Sequence, residues 1–139
     1  MFSSLTVDHL NEVGKGKLPG HLGIVFTCAE KARIVAELAI GGTLMAPNGY
    51  LHAGSVITLA DTCAGYGCVA NFPPGAAGFT TVELKANFTG TAREGTIAAA
   101  AKPLHLGKTT QVWDAVVTHK ESGRTIALFR CTQMILYSR

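Results

Sequence analysis

Residues 52–71 read HAGSVITLADTCAGYGCVAN, and the reading of this stretch decides the fold. Twenty residues pass without a proline, with apolar or small side chains at nearly every position. A helix that is apolar all round is buried rather than amphipathic. Seven of the twenty are Gly or Ala, which allow close approach of a sheet. FPPG (72–75) follows as a hard stop. The stretch therefore predicts one long central helix over about 52–71.

The flanking segments read differently. Residues 6–13 suit a short helix, with Thr6 as its cap and Gly14 at its end. LPGHLGI (18–24) reads as a turn leading into a strand. In KARIVAELAI (31–40), Ala32, Ile34, Ala36, Leu38 and Ile40 alternate with Lys31, Arg33 and Glu37, the period of a half-buried strand. GGTLMAPNGY (41–50) is loop-like. Beyond the helix, TVELKANF (81–88) puts Val82, Leu84, Ala86 and Phe88 on one face and Thr81, Glu83, Lys85 and Asn87 on the other. TIAAAAKP (96–103), whose alanines equally suit a helix, TTQVWDAVVTH (109–119) and RTIALFRCTQMIL (124–136) read as three more strands, with a turn at Glu121-Ser122-Gly123. In the last, Ile126, Leu128, Met134 and Leu136 share a side. The order is helix, two strands, helix, four strands. That is α+β, a mainly antiparallel sheet wrapped around one central helix. No repeat or linker divides the 139 residues, so a single domain over 1–139 is expected.

Composition narrows the function. The chain is 47% hydrophobic and only 15% charged, against about a quarter charged in an average soluble domain. Another subunit is expected to cover part of that apolar surface. The net charge is +3 with pI near 8.8, and no Lys/Arg cluster appears. This argues against nucleic acid and suits an anionic small ligand. Asp61 interrupts the only apolar run approaching the roughly 18 residues of a membrane span, so no membrane association is expected. The N-terminus MFSSLTVDHLNEVGKGK lacks a basic region followed by an apolar core, so no export signal is expected. The spacing of Cys28, Cys63, Cys68 and Cys131 fits no metal motif. Free thiols in a reducing cytoplasm, and no metal, are expected.

Asp61 is the anomaly. Three and four positions away on the helix lie Ile57, Thr58, Ala64 and Gly65, none able to neutralise a carboxylate. A buried unpaired charge is costly, so the group must meet a distant partner, reach water or shift its pKa. Each option marks a pocket. The competing reading is a structural Asp bonded to the backbone, or to Thr58 or Thr62. At the helix start, His52 precedes the backbone N–H groups of Ala53 and Gly54. Such groups are unpaired donors at the positive end of a helix, able to polarise a carbonyl that is becoming an oxyanion.

Spacing limits how these parts combine. His52 and Asp61 are nine residues apart, which is half a revolution and about 13 Å along a helix. They cannot both touch one scissile bond from one helix. A site using both needs a second subunit, and a two-fold dimer would then hold two composite sites. Cys63 lacks the base or cation that a nucleophilic thiol requires. Ser55, in AGSVI, is not in a nucleophile elbow.

Asn48-Gly-Tyr-Leu-His52-Ala-Gly54, followed by Leu59-Ala60-Asp61-Thr62, resembles the hotdog-fold acyl-CoA thioesterases. It is most similar to the phenylacetate-degradation group and the related 4-hydroxybenzoyl-CoA thioesterases. The resemblance implies the hotdog fold and hydrolysis of a CoA thioester to free acid and CoA, with no cofactor beyond the CoA of the substrate. It implies Asp61 as general base or nucleophile, and the Ala53 N–H as the polarising donor. Gly54 would keep the helix start open, and His52 and Asn48 would shape the pocket. Thr81 aligns with a Ser/Thr that assists water in part of the family. Arg93, Lys102 and Lys108 are candidates for the CoA phosphates, and a homodimer or homotetramer is implied. The chain departs from the pattern twice. Ala53 replaces the first Gly of a pair, and Asn48 sits two positions after the usual amide, where this chain has Ala46. Two rivals share the fold: an acyl-CoA sensor without turnover, and an enoyl-CoA hydratase, whose acid precedes its histidine.

Overall fold

The computed structural model describes residues 4–139. Helix α1 (Val7–Val13) starts at Thr6, whose hydroxyl accepts from the His9 N–H, and ends at Gly14, as read from the sequence. The segment read as a turn is instead a second short helix, α2 (Leu18–Leu22). Pro19 sits in its first turn, where its fixed φ and missing N–H favour a helix. Gly23 closes it with φ 88°, a left-handed cap that glycine adopts freely.

Strands β1 (Val25–Glu30) and β2 (Arg33–Ala39) follow, then a single 3₁₀ turn at Gly42–Leu44 and the long helix α3 (Ala53–Ala70). Four strands complete the chain: β3 (Ala76–Phe88), β4 (Thr96–Leu106), β5 (Thr110–His119) and β6 (Thr125–Tyr137). They form one sheet in the order β1-β2-β4-β5-β6-β3, and every neighbouring pair is antiparallel. The sheet holds α3 against one face, which is the hotdog arrangement that the resemblance implies.

Close approach is what makes this packing possible. A Cβ at Gly67 would stand 2.5 Å from the Trp113 ring, and one at Gly65 would stand 3.3 Å from Phe79. Trp113 is fully buried and cannot swing away. Its indole N–H donates to Gln111 Oε1 at 2.8 Å, and Gln111 Nε2 donates to the Asn71 carbonyl at 2.9 Å. Gln111 thereby ties the sheet to the end of the helix. Ten of the 18 residues of α3 are buried, but Ile57, Thr58, Asp61, Thr62 and Tyr66 form a half-buried stripe.

The faces of two strands turn out otherwise than their patterns imply. In β6 the helix side carries Ala127, Phe129, Cys131, Gln133 and Ile135, while Leu128, Met134 and Leu136 are exposed. Of the apolar set read on 124–136, only Ile126 is buried. In β3, Val82, Leu84 and Phe88 are also exposed. The two sheet edges differ as well. At β1, the Asn11 side chain accepts from the Phe26 N–H at 2.8 Å and donates to the Phe26 carbonyl at 3.3 Å, standing in for a neighbouring strand. β3 is the other edge and is 13 residues long. A long apolar edge is a template for pairing with another chain.

Gly67→Ala should destabilise the fold by about 1–3 kcal/mol, because the added methyl overpacks a tethered ring. Gly42→Ala, where a Cβ meets nothing within 4 Å, should change stability by less than about 0.5 kcal/mol. Denaturant unfolding of the two variants checks the contrast.

Candidate active site

Asp61 opens into a cavity of about 250 Å³ walled by Pro19, Thr62, Tyr66, Phe79 and Thr81. Helix α3 supplies Asp61 with Gly65 and Thr62 with Tyr66, two pairs each four residues apart on neighbouring lines of the helix surface. α2 contributes Pro19, and β3 contributes Phe79 and Thr81. Sheet register puts those last two on the helix side, since Phe79 pairs with Ile135 and Thr81 with Gln133.

The structural reading of Asp61 fails on its neighbours. Thr58 Oγ1 donates to the Gly54 carbonyl at 2.8 Å, and Thr62 Oγ1 donates to the Thr58 carbonyl at 2.6 Å. Both hydroxyl protons are spent on the helix backbone. Asp61 Oδ1 is buried with no hydrogen-bond partner among the described residues. Burial raises the carboxyl pKa above its ordinary value of 3.8. An orphaned acid with a raised pKa in a pocket is a recurrent feature of proton-transfer sites. Cys63 is fully buried and burial pushes its thiol far above the usual range, so it is no nucleophile. Cys131 is pushed up to about 12, by burial first and the nearby Asp61 charge second.

At the other end of α3, His52 is the N-cap, and its Nδ1 accepts from the Gly54 N–H at 2.7 Å. The ring proton therefore belongs on Nε2. Gly54 is required here, because a Cβ would stand 2.9 Å from Nδ1. The Ser55 N–H bonds the His52 carbonyl. The N–H of exposed Ala53 has no partner among the described residues. It is the free donor at the positive end of an 18-residue helix.

The expected site residues thus fall into two groups. Asp61 and Thr81 share one cavity, and His52, Ala53 and Gly54 lie at the helix start about 12 Å away along the axis. Asn48 Oδ1 accepts from the Tyr50 N–H, so its side chain holds its own turn. The candidate cations do not gather. Arg93 lies over the Tyr50 ring at 4.3 Å, beside the loop that enters α3. Lys108 lines a hollow with Asn71, Pro73 and Pro74 near the opposite helix end. Lys102 pairs with Asp114 on the sheet face turned away from α3.

The pattern of the thioesterase superfamily matches residues 48–126. The chain belongs to this superfamily. It is 33% identical over 135 residues to the 1,4-dihydroxy-2-naphthoyl-CoA hydrolase of Escherichia coli, covering 95% of this chain and 96% of that one. It is 31% identical over 134 residues to the proofreading thioesterase EntH of Klebsiella pneumoniae, covering 95% of each. Among solved structures, a thioesterase from Haemophilus influenzae superposes with TM-score 0.89 at 25% identity, over 97% of this chain and 93% of its own. A mutant thioesterase from Pseudomonas aeruginosa superposes with TM-score 0.90 at 25% identity over 99% of each. The protein is a thioester hydrolase.

Sequence reasoning missed several pocket residues of this thioesterase. Tyr66 lies five residues beyond Asp61, a step that helical spacing from Asp61 does not single out. Phe79 and Pro19 come from elements whose packing only the fold reveals. Gln133, fully buried behind Thr81 and outside the cavity lining, was signalled by its place between Cys131 and Ile135 on the odd-numbered face of β6, once that face is known to be the inner one.

The raised pKa of Asp61 carries a stability consequence. The native state keeps the proton to a higher pH than the unfolded chain, so stability falls as pH rises from 3.8 through the native value. Above that window the ionised carboxylate opposes folding. Asp61→Asn should raise Tm at pH 8, and the gain should shrink as pH is lowered towards 4. Thermal unfolding across pH tests this; a gain that does not vary with pH would contradict it.

Proposed function

We propose that the protein is an acyl-CoA thioesterase in which Asp61 is the general base and the Ala53 N–H is the oxyanion donor, supplied by different copies of the chain. The observation that carries this is the orphaned oxygen of Asp61, a residue that lines one cavity with Thr81. Asp61 takes a proton from water as the water oxygen attacks the thioester carbon. The carbonyl oxygen becomes an oxyanion facing the Ala53 N–H of the second copy. Collapse breaks the carbon–sulfur bond and releases the carboxylic acid, and the CoA thiolate takes up a proton. Electrostatic stabilisation of this kind is worth about 10²–10³ in kcat per donor.

Four features support the details. The open β3 edge, with Val82, Leu84 and Phe88 exposed, favours a two-fold dimer through this strand. Pairing the same edge twice makes a self-complementary interface. The rings of Tyr66 and Phe79 wall the cavity, which favours a flat aromatic acyl group; the naphthoyl-CoA hydrolase of E. coli points the same way. Arg93, next to the loop that leads to Ala53, is the best placed of the three cations for a CoA phosphate. All four cysteines are free, which supports a reducing, cytoplasmic setting.

CoA release over a panel of aromatic and aliphatic acyl-CoAs tests the substrate class. Asp61→Ala should lower kcat by about 10³-fold or more; undiminished turnover would remove Asp61 from the chemistry. Ala53→Pro deletes the donor and leaves the helix intact, because proline suits this position and His52 already has ψ 134°. It should lower kcat about 10²–10³-fold with little change in Tm.

Mixing the two variants tests the sharing. Half of freely exchanged dimers are mixed, and each mixed dimer regains one intact site of two. Recovery of about a quarter of wild-type activity is expected, and no recovery after proven exchange would place both groups in one chain's site.

A further inference from the structure

Gln133 is one of two fully buried glutamines, and the two are neighbours across the sheet, with Gln111 paired to Gln133. Their partners differ in kind. Gln111 has structural work, joining Trp113 to the end of α3. The Gln133 side chain bonds no backbone group among the described residues. Its Nε2 donates to Cys131 Sγ at 3.4 Å, and its Oε1 accepts from Thr81 Oγ1 at 2.7 Å. Thr81 is exposed and lines the Asp61 cavity. A buried amide is thus devoted to the hydroxyl of an exposed pocket residue. Burying an amide is costly unless its bonds are made, and a leucine would fill an inner strand position without that cost.

The backbone singles out the same residue. The β3–β6 register runs from Ala76–Tyr137 to Phe88–Ala127 and shifts between Thr81 and Glu83. A bulge of this kind re-aims the side chain beside it. The ladder on both sides of the bulge fixes the register without help from Gln133.

We infer that Gln133 is a positioning residue that fixes the polarity of the Thr81 hydroxyl. The inference rests on the reading of Asp61 as general base. The Thr81 proton is directed inward to Gln133 Oε1, so towards the cavity Thr81 Oγ1 can only accept. A water bound between Asp61 and Thr81 donates one proton to each. Its lone pairs are then left to face the thioester carbon. Without Gln133 the hydroxyl is free to rotate and donate to that water, or to Asp61 itself, which turns the nucleophile away from the carbon.

The test is a double-mutant cycle on kcat and KM, with Tm as a check on folding. Gln133→Met removes the acceptor at similar volume and should lower kcat about tenfold with KM little changed. Thr81→Val should do the same, and the double variant should be no slower than either single one. Gln133→Glu keeps an Oε acceptor and should recover most of the lost kcat. If Gln133→Met does not fold, Gln133→Asn carries the same expectation, since it draws the carbonyl back by one methylene. Losses that multiply in the double variant, or a Gln133 variant that lowers Tm and leaves kcat intact, overturn the inference. Asp61→Asn measured alongside separates the two claims. Its undiminished turnover would remove the base and the inference with it, whereas multiplicative losses with an inactive Asp61→Asn remove the inference alone.

Discussion

The contact between Gly67 and the Trp113 ring sets the geometry on which the rest depends. No side chain fits between them, so the α3 backbone rests directly on the Trp113 ring. Trp113 is held by Gln111, and Gln111 by the helix end, so neither partner can drift. With the Gly65–Gly67 stretch pinned to the sheet, the angular position of every other helix residue follows. Ala60 and Ala64 face inward, while Asp61 and Thr62 fall on the half-buried stripe. The close approach that builds the core thus also keeps Asp61 out of it.

The length of the helix then divides the chemistry. Its start offers a free N–H and a positive dipole end; Asp61 lies more than two turns further on. In the proposed mechanism a general base and an oxyanion donor must meet within one thioester, a few ångströms across. One copy of the chain cannot bring them together without breaking α3. The apolar β3 edge and the low charge content point to the same resolution, because each describes a surface that suits a second copy.

The fold was legible where one physical signal acted alone. Thr6 and Gly14 bracket a helix because capping is local chemistry, and 52–71 reads as a helix because its unbroken apolar length outweighs the β-branched run at Val56-Ile57-Thr58. LPGHLG misled because Pro and Gly punctuate turns and also open and close short helices; the left-handed Gly23 cap decides between them only in the structure. In β6 the alternation was real, but both faces are largely apolar. Period two shows which residues share a side without showing which side meets the helix. The same ambiguity concealed Gln133. The acid of the site was visible as a charge without a partner, and its cavity was not, because Pro19 arrives from α2 and Phe79 and Thr81 from β3 only through packing.

Ala53 shows how a departure from a family pattern can be read physically. The usual pair at the helix start is two glycines, and this chain keeps only the second. Gly54 admits no side chain, because its Cβ would press on the His52 ring whose Nδ1 takes the Gly54 N–H. That bond also removes Gly54 as a donor to substrate. Ala53 is exposed and its N–H is unspent. A methyl there narrows the approach to the donor without blocking the donor itself. The constraint at the two positions is therefore unequal. The second glycine serves the cap, and the first only has to present an N–H, which alanine does.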